Sequence, residues 1–115
     1  MPQPPVPDAA TTDAVAAFRM HLMRRYGERL RGLVLFGSRA RGDARADSDA
    51  DLAVFLDPIA DPVEAQMDMA GDAYGVFLDT GILIQPWAFG GAPDRPAQDR
   101  ALGLLRSIQG EGIVL

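Results

Sequence analysis

Asp49 and Asp51 stand two residues apart at the entrance to an apolar run, Leu52-Ala53-Val54-Phe55-Leu56. Alternate side chains of a strand share a face, with Cα atoms about 6 to 7 Å apart. The two carboxylates therefore aim together, and Asp47 joins them only if the strand starts early. Neighbouring ionised carboxylates repel unless a cation compensates them. Hard oxygen donors at this spacing suit Mg2+, which takes one or two carboxylates and completes its shell with water and substrate phosphates. Upstream, Gly37 and Ser38 follow a second apolar run, Leu33-Val34-Leu35-Phe36. A strand ending in a turn of small residues leaves backbone N–H groups to meet phosphate oxygens. Arg39 and Arg41 lie close by and can neutralise phosphate charge. An anion cradle beside a cation holder suits a bound nucleotide triphosphate.

Other readings of the acidic cluster fare worse. A calcium loop beginning at Asp47 needs Gly at its sixth position and Glu at its twelfth, and these are Leu52 and Pro58. A Walker loop needs Lys, and the chain has none. A merely solvated acidic loop does not explain a strand that opens directly at Leu52 beside a Gly-Ser turn.

The pattern Gly37-Ser38, ten residues, then Asp49-x-Asp51, with Arg41-Gly42 between, resembles the nucleotidyltransferases related to DNA polymerase beta. It is most similar to the small bacterial minimal nucleotidyltransferases (MNT), in detail from Tyr26 to Leu56 and more loosely to the C-terminus. The resemblance assigns Gly37 and Ser38 to the nucleotide triphosphate and Asp49 and Asp51 to Mg2+ and catalysis. Arg41 ranks as a nucleotide contact, and Arg39 ranks below it. The resemblance also implies an antitoxin that transfers AMP from ATP to a Tyr of a HEPN-type toxin. Active superfamily members place a third acid on a neighbouring strand. Here the only polar side chain of that strand is Gln85, which cannot take a proton; Asp79 lies just before it. The alternative is therefore a binding module that silences its toxin by occlusion. A third possibility, modification of a small molecule, wants a second domain that 115 residues do not supply.

Composition narrows the setting. One domain fits 115 residues, with a Pro-rich segment at 1–10 and a single nucleotidyltransferase domain at 11–115. The absence of Cys points to a cytoplasmic protein, and no run approaches the ~18 apolar residues of a membrane span. A net charge of −5 argues against strong nucleic-acid binding. The charge is unevenly spread. Residues 19–45 hold eight Arg against Glu28 and Asp43, a balance of +6. Residues 46–115 hold three Arg against twelve acids, a balance of −9.

Periodicity supplies the elements that position the site. Thr11 or Thr12 caps a helix to Tyr26 with Val15, Phe18, Leu22 and Tyr26 on one stripe, and Gly27 ends it. His21, beside that stripe, has no second His or Cys to make a ligand set. Residues 30–36 and 52–56 form strands, the second closed by Asp57-Pro58. A helix from Val63 to Asp79 carries Val63, Met67, Ala70, Tyr74, Phe77 and Leu78 at helical spacing. A third strand covers Ile82 to Gln85 and ends by Pro86, and a last helix spans residues 97–109. The apolar terminus Ile113-Val114-Leu115 packs on its own domain or docks on a partner. The order predicts an α/β fold, a small mixed β-sheet packed against helices.

Overall fold

The computed structural model describes residues 8–41, 49–96, 108, 110 and 112–115. The expected helix over residues 97–109 and the Pro-rich residues 1–7 lie almost entirely outside them. A five-stranded mixed sheet has the order β4-β3-β2-β1-β5. Its strands are β1 (Leu30–Phe36), β2 (Ala50–Leu56), β3 (Ile84–Ala92), β4 (Arg95–Pro96) and β5 (Ile113–Val114). β2 runs antiparallel to β1 and parallel to β3. Two long helices, α1 (Ala9–Tyr26) and α3 (Pro62–Thr80), cover one face, and a single turn, α2 (Ser38–Arg41), follows β1.

Helix α1 begins earlier than the sequence predicts. Asp8 caps it, its side chain accepting from the Thr11 N–H at 2.7 Å, so neither Thr11 nor Thr12 is the cap. The expected stripe is buried, and Gly27, at φ +57°, stops the helix with its N–H on Met23 O. Asp61 caps α3 through the N–H groups of Val63 and Glu64, and Gly81 ends it in the left-handed region. Arg25 of α1 binds the Asp72 carboxylate of α3 through Nε and Nη2, at 2.9 and 3.0 Å.

Alternation along the strands divides the core. Leu33, Leu35, Leu52, Val54, Leu56 and Ile84 meet Phe18 and Leu22 of α1 and Met69 and Val76 of α3. Val34, Phe36, Ala53, Phe55 and Phe89 gather on the opposite face with Ile108. The C-terminal residues do pack on this domain, with β5 antiparallel to β1 and the Leu115 N–H on Leu33 O.

Two expectations need correction. The stripe predicted for α3 faces outward, and the helix buries Ala65, Met69, Ala73 and Val76 instead. These four side chains pack with Phe18 and Leu22 of α1 and with the sheet in one core. The third strand also runs through Pro86 rather than stopping there. Pro86 pairs with Leu52 in register, while β4 joins β3 only at Gly91 and Ala92. Among the described residues the flank of Pro86 away from β2 therefore carries no strand, and a missing N–H there breaks no ladder. The Gln66 side chain of α3 fills that flank: its Nε2 donates to Pro86 O, and its Oε1 accepts from the Ala88 N–H at 3.0 Å.

Candidate active site

The site forms where β1 ends, β2 begins and β3 runs alongside. Gly37 leaves β1 at φ +78°, and the Ala40 N–H bonds Gly37 O at 3.1 Å to close the first turn of α2. Ser38 is half-buried at the head of that turn. The first residues of a helical turn do not use their own N–H groups within it. The Ala50 N–H donates to Leu83 O at 2.9 Å, which anchors the start of β2 and sets exposed Asp49 just ahead of it.

Asp51 is the centre of the arrangement. It pairs with Phe36 across the antiparallel ladder and with Gln85 across the parallel one. Its Oδ1 accepts from Trp87 Nε1 at 3.5 Å. On its other side Gly37 comes so near that a Cβ there would lie 2.5 Å from Oδ2. The Trp87 ring leans on Phe36 with centroids 6.5 Å apart at 54°.

The candidates thus divide. Gly37, Ser38 and Asp51 come together at one strand end, with Asp49 next in the chain. Arg39 is 5% exposed, and its Nη1 donates to Thr11 Oγ1 at 2.9 Å and lies 3.7 Å from Asp8 Oδ2. A guanidinium held against the first turn of α1 ties that helix to α2. The Arg41 side chain lies outside the described residues. Asp79 is exposed near the end of α3, and the strand residue beside Asp51 is Gln85, as expected.

Two contributors escaped sequence reasoning. Trp87 is two residues beyond Gln85 on the same strand, so alternation carried a signal for it. Gln66 is a polar residue on a helix, and nothing in its spacing announces that it braces the strand segment holding Trp87.

The donor set bears on the metal. Among the described residues no three His, Cys, Asp or Glu side chains gather into a site, which is unlike an all-protein cage. A carboxylate pair fits a Mg2+ ion that shares its shell with water and phosphate oxygens.

Residues 21–83 match the polymerase beta nucleotidyltransferase family. No curated protein matches the chain by sequence. Similar solved structures include a toxin-antitoxin crystallised with AMP-PNP, at 18% identity and TM-score 0.59, with 84% of this chain and 68% of that chain covered. A mutant of the toxin-antitoxin MntA-HpeT gives 17% identity and TM-score 0.58 at the same coverage of 84% and 68%. The complex of tri-AMPylated Shewanella oneidensis HEPN toxin with MNT antitoxin gives 15% and 0.55, covering 91% of this chain and 70% of that chain. At these identities the structures share a fold with this chain. The family match spans more than half of the sequence and contains the whole Gly37–Asp51 site, and the chain belongs to the polymerase beta nucleotidyltransferase family.

Proposed function

We propose that this chain is a Mg2+-dependent nucleotidyltransferase, an antitoxin that moves AMP from ATP to a Tyr hydroxyl of a HEPN-type toxin. The observation that carries the reading is the contact of Gly37 with the Asp51 carboxylate, which joins the Gly-Ser turn to the acid at the start of β2. Similarity to a toxin-antitoxin solved with AMP-PNP and to a complex holding an AMPylated toxin supports nucleotide and partner.

In this reading Gly37 and Ser38 hold the triphosphate through backbone N–H groups and the Ser hydroxyl. Asp49 and Asp51 hold Mg2+, which when bound offsets charge on the phosphates as pyrophosphate departs. Trp87 Nε1 donates to Asp51 Oδ1, and Oδ2 lies beside Gly37. The bond from the Tyr oxygen to the α-phosphorus forms as the bond to pyrophosphate breaks. Gln85, beside Asp51, cannot take the Tyr proton, which leaves to water.

One observation favours the second reading, inhibition by occlusion: the strand position beside Asp51 holds an amide where an acid would help hold metal. Label transfer from α-labelled ATP to a HEPN-type partner protein separates the two. Label that disappears in Asp49→Ala/Asp51→Ala establishes transfer. A stable, silenced complex without label establishes occlusion.

A further inference from the structure

Helix α3 turns two apolar stripes in different directions. The inner one closes on α1 and the sheet. The outer one comprises Val63, Met67, Ala70, Tyr74, Phe77 and Leu78, all exposed, with Met67 at 70% and Tyr74 at 59%. Its steps of four, three, four and three residues are the spacing by which one helix seats another. At 1.5 Å per residue the stripe runs about 22 Å. Single exposed apolar residues are ordinary, but a continuous band of this kind marks a contact surface. The Tyr74 and Phe77 rings already lie together, centroids 6.4 Å apart at 32°.

Gly71 and Gly75 run along the flank of this stripe. Glycine inside a helix is disfavoured against alanine. A Cβ at either position would meet nothing within 4 Å. Nothing in the chain's own fold requires glycine there, whereas the close approach of a second helix would.

Charge selects the kind of helix. Every charged residue of α3 is an acid: Glu64, Asp68, Asp72 and Asp79, with Asp61 at the cap. Arg25 serves Asp72 and lies 4.0 Å from Asp68, while Glu64 and Asp79 stand exposed. Two copies of α3 laid together would set acid against acid. A helix whose apolar stripe is bordered by Arg or Lys would complement both features. We propose that the outer face of α3 docks a basic-bordered amphipathic helix of the HEPN-type partner. The proposal rests on that partner reading.

Calorimetric titration of the purified chain with the purified HEPN-type protein tests it. Gly71→Ala/Gly75→Ala is expected to raise the melting temperature of the isolated chain yet weaken the complex about tenfold or more. Met67→Glu/Tyr74→Glu, at solvent-facing positions, is expected to keep the wild-type circular dichroism and weaken binding about 100-fold. Wild-type affinity is expected to fall as salt rises from about 50 to 300 mM. Undiminished binding by both variants would overturn the docking face while leaving the partner reading standing. Dimerisation of the chain alone, lost in Met67→Glu/Tyr74→Glu, would overturn it in favour of a second copy. No complex with wild type would overturn docking and partner reading together.

Discussion

Gly37 and Asp51 are in direct contact across the β1–β2 pair: the Asp51 Oδ2 occupies the space 2.5 Å from where a Gly37 Cβ would be. Gly37 also holds φ +78°, a conformation that strains a residue with a side chain. Gly37→Ala is therefore expected to displace the carboxylate and strain the turn. A stability loss of roughly 1–3 kcal/mol should follow, together with loss of the rise in melting temperature caused by Mg2+ and ATP. Thermal melts with and without both ligands check this; a wild-type ligand response would refute the importance of the contact.

Gln85 faces Asp51 in the parallel ladder. Gln85→Asp places two carboxylates side by side, which repel in the absence of a cation. The variant is expected to melt below wild type in EDTA and to recover most of the difference in Mg2+. If the site transfers AMP, its rate should rise about tenfold or more with the acid restored. Melting that is indifferent to Mg2+ would count against an ion between these positions.

Gln66 holds Pro86 O and the Ala88 N–H, the backbone groups on either side of Trp87. Gln66→Ala leaves both without that partner, a cost of roughly 1–3 kcal/mol. Trp87 is the only Trp in the chain, so its fluorescence reports directly. The emission is expected to shift to longer wavelength as the indole loosens from Asp51. An unchanged spectrum would show that Trp87 is held by other contacts.

Asp8 offers a pH test. The Thr11 N–H, then the Thr11 side chain, hold its carboxyl below the ordinary value of 3.8 despite a small opposing effect of burial, with Arg39 assisting. A depressed folded-state value means the stabilisation is present above that ordinary value and disappears as pH falls through the folded one. Asp8→Ala should lower the melting temperature by a few degrees at pH 7, as loss of a helix cap does. The gap to wild type should close near pH 2. A gap that persists in acid would show that the carboxylate charge is not what caps α1.

Local chemistry made much of this protein legible in its sequence. Asp49 and Asp51 follow from period-two alternation at a strand mouth, and Gly37 from its place after an apolar run, because such rules act over a few residues. The site motif with its flanking apolar runs carried the resemblance, since its parts lie within fifteen residues of chain from Gly37 to Asp51. Tertiary structure decided the rest. Which of two apolar stripes α3 would bury depended on how α1 and the sheet meet it, and the stripe of Ala65, Met69, Ala73 and Val76 is the one enclosed. Whether Pro86 would end a strand depended on its other flank, where Gln66 replaces a neighbouring strand. Arg39, beside Gly37 in the chain, also reaches Thr11 and Asp8, twenty-eight or more residues away along it. Spacing cannot announce such partners, because they become neighbours only when the helix and the sheet meet.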